Sequence, residues 1–412
     1  MKMKKTAALL MAFGITLSSL FPAPACAEEV TGEGITTNSI QAWPQAADIT
    51  STAAVVMEDS TNTILFAKNM NQTLYPGSSV KIMTTLLALE NSNLTDLVTM
   101  TETGLEGATD GGANIAAQID EVFTMEQCLY AIMLASANDV ALQVAEQIGG
   151  SVENFVQMMN TRAQELGCTN TLFTNPTGLP DENQHITAHD MALIMEAAIR
   201  NESFRTIASA ASYTIPPTNL AGGSRVLTNS FSMTVNGGPS YYNGCLGGKE
   251  GFTQASGSTL VCAAEKNGEI LIAVVLQGAQ GQTAVEAASL LDYGFNSFQL
   301  MDLGSSDFDV LSGGIVIAPV GATKDNLSTQ DQPLEDGTLL RTYYYGGAAV
   351  GTAIASPSEE QDTTLIDISN QNMKEAESLS AKKTYIPYYL IGGVGAILVI
   401  LMVLWIAKIA KS

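Results

Sequence analysis

Histidine is nearly absent: His185 and His189 are the only two in 412 residues. A Ser–His–Asp hydrolase would need one of them as base, with its serine on a GxSxG turn. Neither GxSxG nor the zinc-peptidase sequence HExxH occurs, so the usual signatures of both enzyme classes are missing. His185, His189 and Asp190 are metal-ligating residue types without a surrounding metal-site pattern, so a packed or surface pair is the favoured reading and no metal or other cofactor is expected. Cysteine is sparse, with five in all and no CxxC. One of them, Cys26, belongs to the leader described below. Cys128, Cys168, Cys245 and Cys262 are widely spaced and read as small buried residues rather than a disulfide framework. Positive charge is scarce as well. Eighteen Lys and Arg face 41 Asp and Glu, for a net charge of −23, which argues against nucleic acid or an anionic lipid surface as the main partner.

Two long uncharged runs stand at the ends of the chain. Met1-Lys2-Met3-Lys4-Lys5 precedes an apolar stretch from Thr6 to Phe21, followed by Ala25-Cys26-Ala27. A basic start, a short apolar run and a small-x-small exit are the features of a secretory signal peptide, here 1–27. Tyr385–Ala407 carries no charge and has Tyr385, Tyr388, Tyr389 and Trp405 near its ends. It is long enough to cross a hydrocarbon core of ~30 Å as a helix rising ~1.5 Å per residue. The expectation is a single-pass membrane protein whose body lies outside the cytoplasm, with a short inner tail at 408–412.

Between these ends the texture changes several times. Residues 28–47 are polar and read as a mobile lead-in. Residues 48–300 alternate strand-like and helix-like patterns. Ala53–Met57 and Thr63–Ala67 flank a turn at Asp59–Asn62, predicting a hairpin. Helical periodicity follows at Val80–Leu89, Met125–Leu134, Val140–Gln147 and Val152–Leu166. A second hairpin is expected from Cys245–Thr253 and Leu260–Ala264, then a closing helix at Ala284–Phe298. Strands at both ends with helices between them predict an α/β fold of the α+β kind, with one antiparallel sheet covered by helices. Residues 301–356 read as a small β-rich module and 357–384 as a polar stalk.

Without a histidine base, a nucleophile must be activated another way. In Pro76-Gly77-Ser78-Ser79-Val80-Lys81, Ser78 opens an apolar-periodic segment and Lys81 lies three residues on, so the two share a helix face. A lysine amine can take a serine proton when its surroundings favour the neutral form. Free N–H groups at a helix start also favour developing negative charge. Alone, SxxK is a weak signal, and a capping serine followed by a surface lysine is then the favoured reading. Ser136-Ala137-Asn138 lies on a turn between two helices, where Ser136 could relay a proton and Asn138 could hold substrate or orient Lys81; simple capping is the alternative. Lys249-Glu250-Gly251 opens the second hairpin. There Lys249 offers positive charge, Gly251 lets a substrate backbone approach, and the Phe252 N–H could join that of Ser78 as an oxyanion hole.

SxxK, SxN and KxG in this order resemble the motif set of penicillin-binding proteins. The sequence resembles the low-molecular-weight, serine-type D-alanyl-D-alanine carboxypeptidases in particular. Similarity extends through Ile64–Asn69, Leu74–Pro76, Ser136–Ala141, Phe173–Leu179, His185–Ala192 and Leu290–Phe295, covering roughly residues 50 to 298. The resemblance implies a β-lactamase/transpeptidase-like fold with a β-rich C-terminal module and a membrane anchor. It implies Ser78 as nucleophile, Lys81 as base, Ser136 as proton relay, and Asn138, Lys249, Gly251 and Phe252 as substrate-binding residues. Partners would be the peptidoglycan stem peptide and β-lactams as acylating inhibitors. A β-lactamase and a non-catalytic wall-binding protein on the same scaffold are the rival expectations. Two positions depart from the family pattern. Gly77 replaces the more usual Ala, and Glu250 stands where Thr is usual, placing a carboxylate where the terminal carboxylate of a substrate should bind.

Overall fold

The computed structural model describes residues 37–357, apart from 41, 110 and 306–308. The expected signal peptide at 1–27, the start of the lead-in, nearly all of the stalk, the apolar run 385–407 and the tail 408–412 lie outside the described residues. No helix among the described residues is long and apolar enough to cross a membrane.

The chain opens with strands β1 (Ala53–Glu58) and β2 (Ile64–Lys68), joined by the expected turn. A 3-10 turn, Gly77–Val80, runs into helix α1 (Lys81–Asn91). There follow β3 (Leu97–Thr99), α2 (Glu102–Thr109), β4 (Val122–Thr124), α3 (Met125–Leu134), α4 (Asn138–Gly149) and α5 (Val152–Glu165). Helices α6 (Ala188–Ile199) and α7 (Glu202–Ser209) and the short hairpin β5 (Ser212–Ile215) and β6 (Arg225–Thr228) complete the helical part. The chain returns through β7 (Cys245–Thr253), β8 (Gly257–Lys266) and β9 (Glu269–Gly278) to α8 (Thr283–Ser297). Five strands close it: β10 (Phe298–Asp302), β11 (Val310–Pro319), β12 (Ser328–Pro333), β13 (Leu339–Tyr345) and β14 (Ala348–Ala355).

The main sheet has the order β2-β1-β9-β8-β7, and its strand pairs are antiparallel. It pairs the first strands of the chain with strands some 200 positions later, so the two ends of the fold meet in one layer. Side chains alternate across it, as the period of a strand requires. Ala53, Val55, Met57, Ile272, Val274 and Leu276 join the core beneath α1, α3, α4 and α6. Ala54, Val56, Leu271, Ala273 and Val275 join the other core, with Leu290 and Leu291 of α8. Being apolar on both faces, β1 and β9 must lie centrally, and every residue of β1 is buried. Sequence periodicity anticipated β7 and part of β8 but not β9.

The chain divides into two compact units. The described residues of the first lie within 37–332 and 340–354. The described residues of the second are 333–339 and 355–357; Leu334 N–H donates to the Thr338 carbonyl there, closing a turn. A further sheet runs β10-β11-β14-β13-β12. The lead-in is packed rather than loose where it is described. The Trp43 indole donates to the Leu65 carbonyl over 2.8 Å, and its ring lies 5.1 Å from that of Phe298 and 6.5 Å from that of Tyr345.

Candidate active site

The expected site residues converge at the free edge of the main sheet. Ser78 lies in the 3-10 turn before α1, and this turn runs beside β7. A side chain at Gly251 would place its Cβ 2.7 Å from the Ser78 nitrogen, so the serine turn and the strand approach closely only because Gly251 is glycine. Gly77 has φ +56°, which accounts for glycine immediately before the nucleophile. The cleft so formed, of about 430 Å³, is lined by Ser78, Ser136, Asn138, Lys249, Glu250, Gly251 and Phe252 among others.

Lys81 is buried, in the first turn of α1. Its Nζ donates to Asn138 Oδ1 over 2.7 Å and to the Thr177 carbonyl over 2.6 Å. Of the two sequence readings of Asn138, the structure therefore places it in contact with Lys81. Ser136 sits between α3 and α4 with φ +57°, a left-handed backbone that costs a non-glycine residue roughly 1–2 kcal/mol. That turn aims its Oγ at Ser78 Oγ, 3.2 Å away. The turn is held from below. Asn138 N–H donates to the Ala113 carbonyl, and the buried Asp139 carboxylate accepts from the Ile115, Ala117 and Val140 amides. Burial raises the Asp139 pKa despite those donors.

Lys249 is fully buried on β7, and its Nζ donates to the Glu250 carbonyl over 3.1 Å. Burial lowers its pKa to about 8, with the Glu250 charge opposing that shift. The Glu250 carboxylate accepts from Ser232 Oγ over 3.3 Å, and both residues line the cleft. Burial raises the Glu250 pKa, opposed by the charge of Lys249 and the bond from Ser232. Phe252 lines the cleft and is 58% exposed.

One part of the site escaped sequence reasoning. The loop at Asn175–Leu179 supplies carbonyls rather than side chains: Thr177 O to Lys81, and Pro176 O to Thr84 Oγ1 over 2.7 Å. Asn175 shapes it by accepting from the Thr177 and Gly178 amides. Gly178 has φ +84°, and a Cβ there would fall 1.8 Å from the Gly77 carbonyl oxygen. The Asn-Pro-Thr-Gly string marks a turn, but nothing in it says which carbonyl faces a lysine.

The two histidines lie apart from this cleft lining. His185 Nδ1 lies 2.7 Å from the Asn183 carbonyl and His189 Nδ1 3.6 Å from Asp190 Oδ1. No group of three or more metal-ligating side chains occurs among the described residues. Cys128, Cys168 and Cys262 are buried and Cys245 partly so, all as free thiols.

A family model described as D-alanyl-D-alanine carboxypeptidase, peptidase family S11, matches residues 40–280. The chain is 32% identical over 253 residues to D-alanyl-D-alanine carboxypeptidase DacF of Bacillus subtilis, covering 60% of this chain and 62% of that protein. It is 30% identical over 282 residues to a D-alanyl-D-alanine carboxypeptidase of Streptomyces sp., covering 64% and 95%. The match thus spans under two thirds of the Bacillus relative and nearly all of the Streptomyces one. Among solved structures, a D-alanyl-D-alanine carboxypeptidase from Mycobacterium tuberculosis superposes with TM-score 0.57 at 27% identity, covering 62% of this chain and 95% of that one. Penicillin binding protein 5 from Haemophilus influenzae superposes with TM-score 0.62 at 25% identity, covering 76% and 98%. These neighbours share the mixed α/β architecture with antiparallel sheets.

Proposed function

The chain belongs to the D-alanyl-D-alanine carboxypeptidase family, and from that premise we propose that it is a serine-type peptidase removing the terminal D-alanine of peptidoglycan stem peptides. One observation carries the reading: Ser78 Oγ lies 3.2 Å from Ser136 Oγ and one turn from a buried Lys81, at the edge of a strand bearing Lys249. Lys81 takes the Ser78 proton, and Ser78 attacks the carbonyl of the D-alanyl-D-alanine bond. The Ser78 and Phe252 backbone amides hold the oxyanion. Asn138 and the Thr177 carbonyl fix the Lys81 amine in place. Ser136 hands a proton to the departing amine. Water then releases the acyl group from Ser78. Penicillins acylate the same serine as substrate mimics. No step calls on a metal or an organic cofactor.

The same reading extends to the whole chain. Residues 1–27 serve as a cleaved signal and 385–407 as a single membrane span, with a peptidase domain at 48–300 and a β-rich module at 301–356 on the outer side of the cell membrane. The basic start, the small-residue exit and the uncharged run with its aromatic ends support this.

The test incubates the full chain and its Ser78→Ala form with an acylated peptide ending in D-Ala-D-Ala and measures free D-alanine, then adds labelled penicillin. Release and adduct, both lost with Ser78, are expected. Rapid turnover of penicillin with no D-alanine release would favour a β-lactamase. Absence of both signals would leave a wall-binding protein as the better account.

A further inference from the structure

An acyl group on Ser78 has to be met by water, and the cleft restricts where that water can stand. Gly251 is the residue against Ser78, so the acyl carbon lies beside it. With one oxyanion pocket serving both half-reactions, water must attack from the place the leaving amine has vacated. Lys249 holds the terminal carboxylate, so that place lies along β7 from Gly251 toward Lys249, and Glu250 stands between the two. One residue is ~3.3 Å of strand, which puts a water at the acyl carbon within reach of the Glu250 side chain. Glu250 is the one carboxylate among the described residues that line the cleft. The rest of the polar lining is hydroxyls, amides and Lys249. Ser232 Oγ donates to the Glu250 carboxylate over 3.3 Å and gives it a fixed place on the wall. D-Alanine takes its own carboxylate away when it departs, which leaves Glu250 facing water rather than a like charge.

We propose that Glu250 is the general base of deacylation, taking a proton from the water that hydrolyses the acyl-Ser78 bond. The inference rests on the reading of Ser78 as the acylated nucleophile and adds a catalytic residue to it. The water oxygen bonds to the acyl carbon as one of its protons passes to Glu250. The bond from that carbon to Ser78 Oγ then breaks. Ser78 Oγ regains a proton through Ser136, 3.2 Å away, which draws one from solvent in the cleft, while Glu250 returns its own to solvent. The peptide leaves as a carboxylic acid that ionises in water. Burial raises the Glu250 pKa, opposed by the Lys249 charge and the bond from Ser232, and a more basic carboxylate is a better proton acceptor near neutral pH. In a penicillin adduct the carboxylate on the leaving side stays attached, so it occupies the ground beside Lys249 and Glu250 and holds water off.

The experiment uses the purified full chain and its Glu250→Gln, Glu250→Thr and Glu250→Asp variants, with an acylated peptide ester ending in D-alanyl-D-lactate. Rapid-quench release of D-lactate reports acylation, and intact protein mass gives the fraction of Ser78 carrying the acyl group. Steady turnover divided by that fraction is the deacylation rate constant. Labelled penicillin acylating each variant certifies that it is folded, and the Thr form is read in the same way should the Gln form fail this check. Glu250→Gln and Glu250→Thr should acylate at least as fast as the parent, having lost a negative charge beside Lys249. Their deacylation should be about tenfold or more slower, with a burst of D-lactate and an accumulating acyl-enzyme. Glu250→Asp, which keeps a carboxylate, should recover part of the rate. The ionisable groups of the cleft lining and the serine turn around Glu250 are Lys249 and Lys81. Deacylation in the parent should rise with pH as Glu250 ionises, and this limb should vanish in the Gln form while any limb from either lysine stays. Deacylation constants within about threefold of the parent in both the Gln and Thr forms, or a slowed rate that keeps the parent's acid limb, overturn the inference alone. A parent chain acylated by neither the ester nor penicillin overturns the peptidase reading and the inference with it.

Discussion

At the scale of single residues, the site is a set of short contacts among groups that would each be unremarkable alone. Lys249 is the clearest case, because its burial has a measurable signature. Its pKa is lowered to about 8, so its charge is present below that pH and is lost as pH rises through it. Acylation by a penicillin that carries a carboxylate should therefore hold steady below pH 8 and fall by up to about tenfold per pH unit above it, while a penicillin methyl ester should show no such fall. Stopped-flow acylation rates for the two compounds between pH 6 and 10 check this; parallel profiles would remove Lys249 from carboxylate recognition. Gly178 makes a different kind of demand. Its positive φ and its approach to the Gly77 carbonyl leave no room for a methyl group. Gly178→Ala should push the 176–178 loop off Lys81 and reduce the rate of Ser78 acylation by at least tenfold, with a stability loss beyond about 1 kcal/mol measured by chemical denaturation.

At the scale of elements, the centre of the main sheet decides most of the stability. Ile272 of β9 is fully buried in the helical core, and Ile272→Ala should cost about 2–5 kcal/mol. The turn entering that strand gives the contrast. Asn267 and Gly268 both have positive φ, as a two-residue hairpin turn requires, and a methyl group on Gly268 would meet nothing within 4 Å. Gly268→Ala should thus cost only backbone strain, about 1–2 kcal/mol, and leave Ser78 acylation unchanged. Denaturant midpoints for the two variants, with penicillin labelling of each, test the pair. This hairpin also marks where sequence reading stopped short. Asn267-Gly268 is a strong turn signal, yet β9 was not anticipated, although β1, an apolar run buried like it on both faces, was. Helices α3 and α5 were legible because their periodicity and caps are local. Ser78, Lys81, Ser136, Asn138 and Lys249 were legible because chemistry restricts side-chain type at fixed short spacing. The Thr177 carbonyl was not, since every residue has a carbonyl and only the fold says which one faces Lys81.

At the scale of the whole molecule, acidity is uneven. Far along the main sheet from the cleft strand, Glu58, Asp59, Glu196 and Glu269 gather around the first hairpin, with Arg200 bridging Asp59 and Glu196. Burial and the neighbouring Glu58 charge raise Glu269 to about 7, and burial raises Asp59 and Glu196 too. A carboxyl whose pKa is raised on folding holds a proton that the unfolded chain has already released. Stability from Glu269 is therefore present in full below its unfolded pKa and is lost as pH rises through about 7. Melting temperature should decline between pH 5 and pH 8, and Glu269→Gln should flatten that decline. Calorimetry across this range checks the sign; a melting temperature rising with pH in the parent chain would contradict it.

Trp43 has a consequence for where the chain can be cut. Its indole holds the Leu65 carbonyl while its ring packs on Phe298 and Tyr345, so a segment ahead of the first strand fastens β2 to the second sheet. Trimming past Trp43 unplugs a buried indole and strips a hydrogen bond from the strand that leads to the nucleophile. A minimal fragment that begins at the first strand, as the boundaries of the sheet alone would suggest, is therefore too short by one tryptophan.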